Sequence, residues 1–322
     1  MKSTQPLTLV FLLVVFGAVC AFADTGGFDR TLQVSGPVDM EITSGSGNIT
    51  VHTGAAGSVH VRATIKAQNS WFGASASDRI HQIEQNPPIE QQGNTIRIGK
   101  MQDHDLQRNI SISYDVTVPA QTKLSSHTGS GYQSISGLQL AVSLNTGSGG
   151  LTVDNLGADA RLRSGYGNLK IDSVKGVLNA QTGSGGIRAK AVGGEVFAET
   201  GNGEIEVEQV GSGNVRAETG SGNVQLYGVK GGLQVKTGNG NIRAEGEPKG
   251  DWRVGSGSGS ILLKIPAAAA FNLDVRTSSG RFSTSHTITA QSVASRNHIQ
   301  GKVAGGGVLL DVHTGSGNIE IN

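Results

Sequence analysis

Thr182-Gly-Ser-Gly-Gly-Ile-Arg-Ala-Lys-Ala-Val-Gly-Gly-Glu-Val-Phe-Ala-Glu199 runs directly into Thr200-Gly-Asn-Gly, and this stretch decides the fold. Apolar side chains fall at Ile187, Ala189, Val192, Val196 and Ala198, and Thr200 continues the parity of the last two. Period-two alternation in two short runs, each bounded by glycines, is the pattern of two half-buried β-strands joined by tight corners. A helix is excluded, because each corner glycine would cost about 1 kcal/mol against Ala in a helix interior.

The unit recurs. Corner motifs open at Thr128, Thr146, Ser164, Thr182, Thr200, Thr219 and Thr237, spaced by 18, 18, 18, 18, 19 and 18 residues, with relatives at Ser44, Ser256, Thr277 and Thr314. The apolar places are held by Leu151, Val153, Leu156, Ala160 and Leu162 in one copy and by Val224, Leu226, Val229, Leu233 and Val235 in another. Two five-residue strands bury no core alone, so successive units must stack with equivalent strands about 4.8 Å apart. The chain therefore reads as all-β, a single-chain β-solenoid (β-helix) of 18-residue coils. About ten coils between Thr128 and Asn322 would make a rod of roughly 50 Å.

The structural corner motif comprises Thr146, Gly147 and Gly149; Thr182, Gly183 and Gly185; Thr200, Gly201 and Gly203; Thr219, Gly220 and Gly222; and Thr237, Gly238 and Gly240. Glycine at both corners of a coil is expected to supply positive φ. The threonines share the inward parity, so each should fill a strand position while its hydroxyl bonds a corner amide that the tight turn leaves unpaired.

Residues 24–127 read as an N-terminal β region with an insertion at 67–105, and 128–322 as the regular coils, together one continuous domain over 24–322. In the insertion, Ser75-Ala-Ser-Asp78 leads into a short helix at Arg79–Gln85, stopped by Asn86-Pro87-Pro88. A hairpin of Pro88–Gln91 and Asn94–Ile98 around Gln92-Gly93 follows. Loops are predicted at Glu245–Asp251 and Thr284–Lys302.

Two further stretches carry a family likeness: Val118-Pro119 followed by Leu124-Ser-Ser-His-Thr-Gly-Ser-Gly131, and Leu263-Lys-Ile-Pro266 followed by Leu273-Asp-Val-Arg-Thr-Ser-Ser-Gly280. With the Thr-Gly-Ser-Gly-Asn-Ile copies between them, they resemble the bacterial putative-adhesin domain family of unknown function over nearly all of 28–322. The resemblance implies an exported chain with a single-stranded β-helix fold, and it brings no catalytic residues.

The first 23 residues have a basic start at Lys2, an apolar run from Leu7 to Val19 and Ala21-Phe22-Ala23, the pattern of a signal peptide cleaved after Ala23. Lipid attachment at Cys20 is the competing reading, disfavoured by the bulk of Val19. The run is shorter than the roughly 20 residues that span a bilayer, so the mature chain is expected to have no transmembrane segment. Cys20 is the single cysteine, and its removal leaves neither disulfide nor thiol chemistry. With 26 basic and 25 acidic residues, charge offers no argument for nucleic acid as a partner.

No chemistry is gathered by the motifs. A phosphate loop needs a helix after the glycines, and none follows. Calcium-binding glycine repeats place a carboxylate where this chain has Ile187, Ile205, Val224 and Ile242, so no metal or cofactor is expected. Asp103-His104-Asp105 is the only dense cluster, most simply a polar loop, and His52, His127 and His313 have outward parity beside corners. Outward positions form mixed columns, Lys170, Arg188, Glu206, Gln225 and Arg243 in one and Arg161, Asn179, Phe197 and Gln234 in another, with charges that pair between coils and no aromatic stripe for sugars. Trp71-Phe72 is the one exposed aromatic candidate.

These readings lead to an exported, non-enzymatic β-solenoid located in the periplasm, at the cell surface or in the medium. It would act as an adhesin or envelope interaction scaffold whose partner is an unidentified protein or glycan. The alternatives are a carbohydrate-active β-helix enzyme, which a carboxylate pair in a groove would support, and a periplasmic accessory domain for envelope stress or signalling.

Overall fold

The computed structural model describes residues 25–67, 76–101, 103, 106, 108–295 and 297–322. The signal segment with Ala21 and Ala23, the Trp71-Phe72 pair, and His104 and Asp105 of the acidic cluster lie outside them. The described residues are all-β, with a single helix at Ala76–Gln85.

Each regular coil contributes one strand to each of two stacked sheets, of 15 and 14 strands among the described residues. Val196–Asn202 lies in the first sheet and Ile205–Gln209 in the second. Neighbouring coils pair in parallel at the sequence period, Leu178 with Val196 and Ile187 with Ile205. Ten coils stack between Thr128 and Asn322. Inward residues such as Ile187, Ala189, Val196 and Ala198 are buried, closing one continuous core between the sheets. The coil that is one residue longer keeps this core closed through a bulge: Gln209 takes the inward place of Val192, and its amide donates to the carbonyls of Gly194 and Gly213, both at 2.9 Å. Val210 is thereby turned outward.

At the Thr-Gly-Ser-Gly corner the glycines act for two reasons. Gly185 takes φ +144°, and a methyl there would stand 2.2 Å from the Gly167 carbonyl oxygen. At the opposite corner the expectation of glycine at positive φ fails for three coils, where Asn155, Ser173 and Ala191 adopt φ of 52°, 56° and 51°. Glycine is needed there for room instead: a methyl on Gly194 would approach the Gly176 carbonyl to 2.3 Å.

The N-terminal end is closed by antiparallel strands, Thr25–Gln33 on Ser58–Ala67 on Ile110–Val118. The helix lays Ile80 and Ile83 into this core, and its Glu84 accepts a 2.8 Å bond from the Gly27 amide. It begins three residues before the expected Arg79, at Ala76. The hairpin forms as Ile89–Gln92 with Thr95–Ile98.

At the other end the predicted loop Thr284–Lys302 is replaced in large part by a hairpin, Ile288–Ser295 with His298–Val303, laid antiparallel on Phe271–Ser279. It covers the ladder that this strand would otherwise expose at the sheet edge. Coil order also departs from sequence order here. Val308–Ser316 sits between Trp252–Ser258 and Phe271–Ser279, pairing with both, so the last coil of the sequence is the penultimate coil in space.

Candidate functional site

The corner threonines stack coil on coil inside the edge of the rod. Thr146, Thr182, Thr200, Thr219 and Thr237 are all buried. Their hydroxyls donate to carbonyls of the preceding coil: Thr182 to Gly167 at 3.0 Å, Thr200 to Gly185 at 2.9 Å, Thr219 to Gly203 at 3.0 Å and Thr237 to Gly222 at 3.1 Å. The bonding group is a carbonyl, not the unpaired amide expected from the sequence. Stacking explains the difference, because the Gly185 amide already donates to Asn202 of the next coil, and its carbonyl is the group left for a side chain. Thr146 to Gly131, at 3.3 Å, repeats the pattern.

Outside this ladder, the first glycine of each corner has no side chain to project. Gly183, Gly201, Gly220 and Gly238 align as a track, and the residue before each Thr makes a wall beside it. The result is an open groove of about 970 Å³ running from Arg163 to His313. Its wall is polar and internally bonded. Arg163 donates to Gln181 at 2.9 Å, and Gln181 to Glu199 at 2.9 Å. Glu199 is the register neighbour of Glu218, which Arg216 holds at 2.8 Å. Lys236 follows, then Gly255, whose missing side chain makes room for the His313 ring; a methyl there would lie 2.4 Å from its Nε2. The sequence columns named other outward positions and left these out, and the groove itself depends on the glycine track beside them.

On the second sheet the column Lys170, Arg188, Glu206, Gln225, Arg243 stands in register, and Arg188 pairs with Glu206 at 2.7 Å. On the first, Arg216 enters the other column between Phe197 and Gln234 and places its guanidinium 5.5 Å from the centre of the Phe197 ring. Two exposed aromatics escaped the sequence reading. Tyr166 and Tyr132 lie at the Thr-Gly-Ser-Gly corner, 70 % and 43 % exposed. The signal for Tyr166 was the motif itself, Ser164-Gly-Tyr-Gly where other coils have Ser or Asn.

A carboxylate held in its charged form lies elsewhere, at Asp274. Burial alone would raise the Asp274 carboxyl, but bonds from Arg276 at 2.7 Å, Gln300 at 2.8 Å and His298 at 3.0 Å hold it below the usual carboxylate range. The His298 and Gln300 contacts fasten the terminal hairpin to Phe271–Ser279, a structural role. Burial also pushes the Tyr114 phenol above its ordinary range. Among the described residues no group of three His, Cys, Asp or Glu side chains is placed to hold a metal ion, and no helix is long and apolar enough to cross a membrane.

Residues 190–322 match the family model described as Toastrack DUF4097. The function of this family is unknown. The matched segment carries the groove wall from Glu199 to His313 together with the displaced last coil, while Arg163, Gln181 and both tyrosines precede it. No curated protein matches the chain. Among solved structures, the chain is similar to a putative cell adhesion protein of Clostridium sporogenes, with 11 % identity, 92 % of this chain and 99 % of that one covered, and a TM-score of 0.24. It is similar also to putative adhesins of Bacteroides fragilis, 13 % identical with 92 % and 97 % covered and a TM-score of 0.29, and of Parabacteroides distasonis, 12 % identical with 92 % and 97 % covered and a TM-score of 0.34.

Proposed function

We propose that this chain is an exported, non-enzymatic β-solenoid that serves as an adhesin or interaction scaffold at the cell envelope, recognising a protein or a glycan. The observation that carries this reading is the groove of about 970 Å³, an open track along successive coils with a glycine floor and a wall of polar side chains. Extended concave surfaces of this kind suit recognition of long partners, and repetition of one coil builds them without a dedicated loop. Pull-down from envelope extract with the mature chain, alongside a glycan array, tests it. A saturable partner that protects the groove in hydrogen exchange supports the reading, and the absence of any partner in both assays refutes it. Export is tested by mass spectrometry of the mature N-terminus, which should begin at Asp24; a lipidated Cys20 would make the protein membrane-anchored instead.

One observation favours the enzymatic alternative: Glu199 and Glu218 are register neighbours in the groove, one strand spacing apart. Against it, both carboxylates are already engaged, by Gln181 and by Arg216, and the groove is open to water along its length. Release of reducing ends from oligosaccharides, abolished by Glu218→Gln, would establish the enzyme.

A further inference from the structure

Tyr114 carries a buried hydroxyl that the fold leaves unused. The residue is 2 % exposed, and its phenol oxygen has no hydrogen-bond partner among the described residues. Burial pushes the phenol above its ordinary range, so it keeps its proton and offers a donor. A donor left unpaired at that depth is destabilising until some acceptor reaches it. The hydroxyl sits beside Gly99, where a methyl would lie 3.1 Å from it, and both residues line one pocket of about 270 Å³. The pocket arises because Ile110–Val118 pairs with Ile49–Thr53 only from Tyr114 onward. Ile110 and Ile112 therefore reach past the corner that opens at Ser44, whose hydroxyl donates to the Ile112 carbonyl at 2.9 Å. With Met101 they give the pocket its apolar lining, while Thr43 and His127 add polar groups. No Asp, Glu, Lys or Arg stands among the described residues that line it.

The geometry points to a binding site in this pocket for an uncharged, chiefly apolar molecule of single-ring size that accepts a hydrogen bond from the Tyr114 hydroxyl. The site shares no lining residue with the groove, so it goes beyond the scaffold reading and does not depend on it. Size follows from the volume. An apolar cavity of about 150 Å³ already admits benzene, whereas pockets for drug-sized ligands begin near about 300 Å³. Charge is excluded because an ion would leave water without a countercharge to meet it. A sugar is excluded for a related reason, since its many hydroxyls would lose their water against Ile110, Ile112 and Met101. What the lining asks for is an apolar body with one acceptor, such as the carbonyl of an aromatic ketone, which ends the isolation of the phenol proton.

The test is titration of the full mature chain, with its Ile methyl groups labelled for NMR, against three probes: acetophenone, α-methylstyrene, in which a methylene group replaces the carbonyl oxygen, and benzoate. Acetophenone at about millimolar concentration should shift the Ile110 and Ile112 methyl signals saturably. The styrene should bind about fivefold more weakly or worse, and benzoate should leave the signals in place. Tyr114→Phe should erase the preference for acetophenone over the styrene. Having lost only an unpaired hydroxyl, it should melt no lower than wild type, so the lost preference would not be a lost fold. Gly45→Leu supplies a second variant. Gly45 lines the pocket and a methyl on it meets nothing within 4 Å, so the larger side chain should enter the pocket and abolish binding of both neutral probes. Absence of a saturable shift with acetophenone overturns the site and leaves the pocket to water, and so does a preference that Tyr114→Phe retains or benzoate bound as well as acetophenone.

Discussion

The Thr200 hydroxyl donates to the Gly185 carbonyl at 2.9 Å, from one coil to the one before it, in a place where Thr200 is 2 % exposed. Thr200→Val keeps the shape and leaves a part-buried carbonyl unpaired, so it should cost about 1–2 kcal/mol. Thr200→Lys puts a charge into a thin apolar core and should cost several times more. Arg188→Ala on the outer face loses one exposed ion pair and should be nearly silent. Denaturant melts of the three variants check the order, and a Thr200→Lys chain as stable as Arg188→Ala would refute the buried assignment.

Gly201 and Gly45 occupy the same motif place in different coils and should respond differently. A methyl on Gly201 would lie 2.5 Å from the Gly183 carbonyl, whereas one on Gly45 meets nothing within 4 Å. Gly201→Ala should therefore destabilise by about 1–3 kcal/mol, and Gly45→Ala should stay within about 0.5 kcal/mol. Thermal melts decide between them.

The fold was legible because a period of 18 residues leaves little freedom: once two strands share one coil, stacking sets register, parity and core together. Ile187, Ala189 and Val196 could be placed inside from alternation alone. The terminal hairpin was not legible, since Thr284–Lys302 is polar and its strands are stabilised by covering an edge, which no local pattern records. The groove was hidden for a related reason. Outward residues obey no hydrophobic rule, and the wall from Arg163 to Lys236 meets its glycine track only when the coils are stacked.

Asp274 should make the terminal hairpin acid-sensitive. Its folded pKa is depressed below the ordinary 3.8, so its contribution is present above that value and is lost as pH falls through the lower folded value. Asp274→Asn should destabilise the protein at neutral pH, with the difference from wild type shrinking as pH falls below the ordinary carboxylate range. Paired melts from about pH 2 to about pH 7 show whether the two curves converge towards acid.

Millimolar calcium should leave the melting temperature unchanged, because the corner positions that would need carboxylates hold Ile187, Ile205, Val224 and Ile242. A rise of several degrees, reversed by chelator, would reveal a site that the corners do not provide.

The displaced coil bears on how the rod can come apart. A one-dimensional stack with coils in sequence order can peel from its end, each departure breaking one interface and leaving the rest intact. Here Val308–Ser316 is clasped by Trp252–Ser258 on one side and Phe271–Ser279 on the other. Pulling on Asn322 must break two ladders at once, so the C-terminal end should yield to force as a single block, like a latch, and not coil by coil like a zip.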